Sequence, residues 1–212
     1  MKLYYNPLST FAQKVLMALY EKNIAFEREL VNLFDEPSRL AYEKMYPLGK
    51  IPMLQLEGDR KIPESGIIIE YLEDTYPHSG TRLIPEGKDE ARQVRMVERM
   101  ADLYINDPIV KLLFAKLGFA QYYDADLEKA RKQIRVSYEH FNQRLANQDW
   151  LCGQFSMADC ALIPPLHYAQ MVAPFNEYPR LEMYWNRAQQ RPSYQKVRAE
   201  FVPIWEGMLA GK

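Results

Sequence analysis

The spacing of apolar residues changes period several times along this chain. Lys2-Leu3-Tyr4-Tyr5 opens as a short β-rich run that Asn6-Pro7 ends, and Val15, Leu16, Leu19 and Tyr20 then recur at helical spacing until Asn23 offers a stop. Ile24, Phe26, Arg28 and Leu30 alternate with Ala25, Glu27 and Glu29, which predicts a strand with one wetter face. Ser38 to Met45 predicts a short helix closed by Tyr46-Pro47. Pro52 cannot donate to a sheet ladder, so it belongs at the mouth of the strand that Met53-Leu54-Gln55-Leu56 predicts, a position open to a cis bond. The backbone of Ile51 is thereby left unpaired and free for a ligand. Gly58-Asp59 supplies a turn, Lys61-Ile62 a return strand, and Ile67, Ile68, Tyr71 and Leu72 a helix for which Ser65 is the expected N-cap. The order is βαβα followed by ββα, which predicts a mixed sheet with helices on both faces.

Beyond this point the long segments are all helical in pattern. Lys88 to about Leu117 carries Val94, Val97, Ala101, Tyr104 and Ile105 at helical spacing, with Pro108 expected to kink it. A second helix runs from Asp126 to about Asn147 on Leu127, Ile134, Tyr138, Phe141 and Leu145. The remainder predicts at least two more, divided by Pro174, Pro179, Pro192 and Pro203. Residues 77–87 are turn-rich and read as a linker, which places one domain at 1–76 and an all-helical one at 88–212. No stretch approaches 18 uninterrupted apolar residues and the start turns polar by Asn6, so neither a membrane span nor a signal peptide is expected.

Composition narrows the chemistry. At 212 residues and 48% apolar content the chain is long enough for a sizeable core, and 27 basic against 28 acidic residues leave no basic block to track phosphates. Nucleic acid is therefore not an expected ligand. Cys152 and Cys160, eight apart, fit neither a zinc site nor a C-x-x-C redox pair, which points to a reduced, cytoplasmic setting. His78, His140 and His167 are scattered without metal-ligand spacing, so no metal is expected.

Two helix starts carry the candidate chemistry. The start at Glu64-Ser65 offers free N–H groups and a partial positive charge, a ready site for a carboxylate. In Leu8-Ser9-Thr10-Phe11-Ala12-Gln13, Thr10-x-x-Gln13 fits a capping box and Ser9 equally fits an N-cap, while a hydroxyl at that place is also able to donate to an anion in the same positive field. Tyr5, in the first strand, is the rival hydroxyl. Further on, Ser156-x-x-Asp159 heads the apolar run Cys160-Ala161-Leu162-Ile163 as a reciprocal capping box.

Leu8-Ser9-Thr10, Ile51-Pro52 and Glu64-Ser65 together resemble the glutathione site of serine-type bacterial glutathione S-transferases, and Gly153-x-Phe155-Ser156-x-Ala158-Asp159 looks like the folding motif of their helical domain. The resemblance implies an α/β thioredoxin-like N-terminal domain plus an all-α C-terminal domain, glutathione as co-substrate, an electrophilic hydrophobic second substrate and a homodimer. It assigns Ser9 to the glutathione thiolate, the Ile51 backbone to the cysteinyl backbone, Glu64 and Ser65 to the γ-glutamyl end and Lys50 to the glycyl carboxylate. Related transferases often place a further polar pair about a dozen residues before the Ile-Pro; this chain has Pro37-Ser38-Arg39 there, with Arg39 as the substitute. Met100 and Tyr104 fall on the helix that in this fold lines the second-substrate pocket. Tyr71-Leu72-Glu73-Asp74-Thr75-Tyr76-Pro77-His78 and Phe155 to Cys160 also resemble the stringent-starvation proteins, adaptors of RNA polymerase that keep the fold without the enzyme.

Overall fold

The computed structural model describes residues 1–211. They form two compact units, Met1–Arg82 together with the chain from Pro192 onward, and Leu83–Arg191.

The first unit is built on a four-stranded sheet in the order β2-β1-β3-β4, with β1 Lys2–Tyr5, β2 Glu27–Leu30, β3 Met53–Gln55 and β4 Lys61–Pro63. β1 runs parallel to β2 and antiparallel to β3, and β3 runs antiparallel to β4. The predicted alternation from Ile24 survives only as Glu27–Leu30, all four exposed, because β2 is an edge strand. Helix α1, Thr10–Glu21, stops where Asn23 takes a positive φ of 53°. It packs with α3, Ser65–Thr75, over the face that carries Leu3, Tyr5 and Leu54. Helix α2, Glu36–Met45, covers the other face, where Tyr42 joins Val31 and Met53 in a core cluster with Tyr4, Tyr46 and Ile51 against it. The N-cap of α2 is Asp35, which accepts from Ser38 N at 3.0 Å, so the helix starts two residues before the predicted Ser38.

The second unit is helical: α4 Lys88–Ala101, a π-turn Asp102–Asn106, α5 Asp107–Leu117, α6 Asp124–Arg144, α7 Met157–Val172 and α8 Pro179–Gln189. The expected kink at Pro108 takes the form of that π-turn. Pro108 has no N–H to give the Tyr104 carbonyl, and Asp107 N instead reaches back to Asp102 O, widening the turn. Ser156 and Asp159 make the predicted capping box, at the head of a helix buried along most of its length. Pro179 and Pro192 open helices, a position where a missing N–H costs nothing. Pro203, expected as a divider, lies within α9, Pro192–Ala210.

Sequence spacing groups residues 192–212 with the helical part of the chain, whereas α9 packs on α1 in the first unit. Polar contacts fasten it there: Glu200 accepts from Tyr5 Oη at 3.1 Å, from Tyr20 Oη and from the Arg28 guanidinium, and Ser193 Oγ donates to Glu21 at 2.6 Å. Among the described residues no helix is long and apolar enough to cross a membrane.

Candidate functional site

The strand register brings the candidate residues to one end of the sheet. Tyr4 pairs with Met53, and Met53 with Pro63. The Ser9 loop leaves β1 just after that line, Ile51-Pro52 enters β3 just before it, and Glu64-Ser65 leaves β4 just after it. Three segments scattered over 56 residues of sequence thus share one sheet end, which is where a mixed sheet of this kind leaves loop backbone without ladder partners.

Each segment is held in a definite way. In the first, Asn6 bridges outward to Val31 O at 3.1 Å and inward to Leu8 N at 3.0 Å, and Gln13 donates to Pro7 O at 2.7 Å. The N-cap of α1 is Ser9, whose Oγ accepts from Ala12 N at 3.3 Å, so Gln13 serves the loop rather than a Thr10 capping box. Accepting that N–H uses a lone pair and leaves the hydroxyl hydrogen of the half-buried Ser9 available to an anion.

Ile51-Pro52 is a cis peptide, and neither the N–H nor the C=O of Ile51 hydrogen-bonds to another described residue. Lys50 is exposed, and its carbonyl accepts from Tyr42 Oη at 2.7 Å.

At the third segment Glu64, not Ser65 as expected, is the N-cap residue of α3, and Ser65 is the buried first residue of the helix. Glu64 takes φ 70° and ψ 116°, a region that costs an L residue on the order of 1–3 kcal/mol and marks functional sites. Its carbonyl closes the helix onto Ile68 N at 2.9 Å while its carboxylate makes no capping bond. The first helical N–H groups of α3 are therefore left pointing out of the helix end, together with its positive dipole. This is an arrangement for an anionic, zwitterionic or amide-bearing ligand.

Tyr5 does not compete with Ser9. It is buried, and its hydroxyl is committed to Glu200. Burial, with the Glu200 charge behind it, pushes that phenol up to about 12, so it does not release its proton near neutral pH.

Both halves of the chain have known relatives. Residues 3–81 match the glutathione S-transferase N-terminal domain and residues 105–192 the glutathione S-transferase C-terminal domain. The chain is 30% identical over 216 residues to glutathione S-transferase 3 of Zea mays, covering 96% of this chain and 95% of that one. The chain belongs to the glutathione S-transferase family. Glutathione S-transferase F6 of Arabidopsis thaliana is 29% identical, over 92% of this transferase and 98% of that protein. A glutathione S-transferase of Methylobacillus flagellatus solved with gsh bound superposes with a TM-score of 0.81 at 29% identity, covering 92% and 98% of the two chains. These relatives carry transferase names and do not favour the starvation-protein alternative; the curated relatives are mostly plant enzymes, with a probable maleylacetoacetate isomerase of Vibrio cholerae, 28% identical over 92% of this chain, beside them.

Of the residues expected in the site, Ser9, Ile51, Glu64 and Ser65 meet at the sheet end, with Lys50 beside Ile51. Met100 and Tyr104 lie in the second unit, Met100 half-buried on α4 and Tyr104 44% exposed on the π-turn. Arg39 pairs with Glu43 at 3.1 Å on its own helix. No cluster of three or more His, Cys, Asp or Glu among the described residues is arranged to hold a metal.

Three contributors escape a linear reading of the transferase. Tyr42 anchors the Lys50 carbonyl. Tyr46 stands near Glu64, and its phenol is raised by burial first and by the Glu64 charge second. Glu200 arrives from 195 residues beyond Tyr5 to occupy its hydroxyl. Only Tyr42 and Tyr46 left a trace in sequence, as aromatics at helical spacing before the cis proline.

Proposed function

We propose that this transferase binds glutathione at the sheet end and delivers its thiolate to an electrophilic, largely apolar small molecule, a detoxification chemistry. The Ile51 N–H and C=O take the cysteinyl backbone, Glu64 and Ser65 with the α3 N–H groups take the γ-glutamyl end, and Lys50 faces the glycyl carboxylate. Ser9 donates to the thiolate. The observation that carries this reading is the Tyr4–Met53–Pro63 register, which gathers an unpaired Ile51 peptide, an uncapped helix start and a hydroxyl with a hydrogen to spare. The nucleophile belongs to the tripeptide, so the protein supplies position and electrostatics. Met100 and Tyr104 serve the second substrate, and the protein works in the cytoplasm without a metal.

Glu64→Ala or Ser65→Ala is expected to weaken glutathione binding by about 10–150-fold, the equivalent of about 1.5–3 kcal/mol for a hydrogen bond to a charged group. Isothermal calorimetry reads this directly. Unchanged affinity in both variants would remove the pair from the site.

We also propose a homodimer in which the first domain of one chain meets the second of the other. The first unit supports this by leaving Phe34 and Leu48 more than 70% exposed, large apolar side chains that water disfavours. Sedimentation at micromolar concentration should give twice the 25.0 kDa chain mass, and a 25.0 kDa species would sink the proposal.

A further inference from the structure

Lys50 C=O and Ile51 N–H belong to one planar peptide unit, in which carbonyl and N–H point in opposite directions. Whatever grips the carbonyl therefore aims the N–H. The grip is a single side chain: Tyr42 Oη donates to Lys50 O at 2.7 Å. Between the end of α2 and the start of β3 the other hydrogen bonds among the described residues are local ones at the helix end, Tyr46 N to Tyr42 O and Gly49 N to Tyr46 O, both at 2.9 Å. Gly49 itself sits at φ +61°, where the chain turns back. Lys50 lies on the surface and its side chain holds nothing down.

Tyr42, by contrast, is fixed. It is 3% exposed, its ring stands 6.0 Å from that of Tyr4 and 6.3 Å from that of Tyr46, and it packs with Val31 and Met53 in the core between α2 and the sheet. Burial, ahead of the neighbouring Tyr46 and Tyr4, raises its phenol well above the ordinary value, so the hydroxyl keeps its proton and stays a donor throughout the working range. A rigid core ring thus ends in one hydroxyl placed on the peptide that precedes the cis proline.

We infer that Tyr42 is a positioning residue for the substrate: through the Lys50 carbonyl it orients the Ile51 N–H that the bound tripeptide meets. Accepting a hydrogen bond at the carbonyl also polarises the peptide and strengthens its N–H as a donor. The inference rests on the glutathione reading of this loop. It assigns α2 a task besides covering the sheet, since one of its residues aims the neighbouring loop.

Tyr42→Phe tests it, because the ring and its packing stay while the donor goes. Calorimetry on the wild-type chain with glutathione comes first, and absence of binding there overturns the glutathione reading and this inference with it. With wild-type binding established, Tyr42→Phe should raise both the dissociation constant and the KM for glutathione by about 3–10-fold, the range of one neutral hydrogen bond. The kcat at saturating glutathione and the pKa of the bound thiol should stay at the wild-type values, because Ser9 is held by β1 and α1. In the ligand-free variant, NMR relaxation should show greater backbone mobility at residues 50–51 and not across β3. Wild-type affinity in Tyr42→Phe, or a fall in kcat equal to any rise in KM, would overturn the inference and leave the glutathione reading standing.

Discussion

Ser9→Ala should raise the pKa of the bound glutathione thiol by about 1–2 units, because a hydrogen bond to a charged group contributes about 1.5–3 kcal/mol and each unit is worth about 1.4 kcal/mol. Affinity for glutathione measured at pH 6 should change little, since Ile51, Glu64 and Ser65 hold the tripeptide and the thiol is mostly protonated in both complexes. A thiol of reference pKa about 8.5 is only a few per cent ionised at neutral pH, and a hydroxyl donor plus a helix N-terminus, about 0.3–2 kcal/mol more, suffices to bring it down by about two units. The rate follows less steeply than the ionisation. At pH 6 the thiolate fraction of the variant falls by about 8–80-fold, but a more basic thiolate is intrinsically a better nucleophile, with a Brønsted coefficient of about 0.4–0.5. The net expectation is a conjugation rate about 3–10-fold lower at pH 6, a deficit that shrinks as pH rises and reverses above pH 9, where both thiols are ionised and the more basic thiolate of the variant reacts about 3–10-fold faster.

Thiolate absorbance titrated in the glutathione complex separates the two roles of Ser9. As a cap for Ala12 N its loss costs about 0.5–2 kcal/mol of stability, without touching the thiol. Ser9→Thr keeps a hydroxyl and should recover both the cap and the pKa. Equal titration of wild type and Ser9→Ala would reduce Ser9 to a cap. Tyr5 would not inherit its role, because its proton is engaged by Glu200 and its phenol stands near 12.

The largest effect on stability is expected from Asp159. This carboxyl is fully buried and accepts from Leu151 N at 3.0 Å, Ser156 N at 2.9 Å, Ser156 Oγ at 3.1 Å and Tyr184 Oη at 3.1 Å, joining the loop before α7 to α8. Asp159→Ala orphans those donors at about 1–3 kcal/mol for each one that stays buried, so a loss of about 3–5 kcal/mol is expected against a typical total of about 5–15 kcal/mol. Tryptophan fluorescence across a urea gradient, at constant m, measures it.

The pH dependence has a definite sign. Burial pushes the Asp159 carboxyl up to about 6, against the pull of its four donors, from an ordinary value of 3.8. A folded pKa raised above the unfolded one means the folded state holds the proton more tightly. The group's contribution is then full below about pH 4 and declines as pH rises through 6, by up to about 3 kcal/mol for a two-unit shift. The stability gap between wild type and Asp159→Ala should therefore be wider at pH 5 than at pH 7.5. A gap that widens toward pH 7.5 would show that the donors outweigh burial and hold the carboxyl low.

Local periodicity and turn chemistry were enough for most elements of this protein. Leu3 and Tyr5, the Val15 to Tyr20 stripe, Gly58-Asp59, the Ile67 to Leu72 stripe and the Ser156–Asp159 box are short-range signals, each satisfied within a few residues of itself. The identity of the candidate ligand segments was legible for the same reason: an X-Pro at a strand mouth and a Ser at a helix start announce unpaired backbone without reference to distant residues.

What tertiary structure alone decided are the choices that depend on partners far along the chain. Ser65 has the chemistry of an N-cap, yet the return from β4 puts Glu64 at the helix boundary with φ 70° and Ser65 inside. Pro203 breaks helices by propensity, but packing of α9 on α1 carries the helix through it. Whether Tyr5 or Ser9 keeps a hydroxyl for a ligand is settled by Glu200, and the aim of the Ile51 peptide by Tyr42. Sequence determined which backbone and side-chain groups were in need of a partner; the fold determined which of them found one inside the protein, because hydrogen bonds act over about 3 Å in space whatever the separation along the chain.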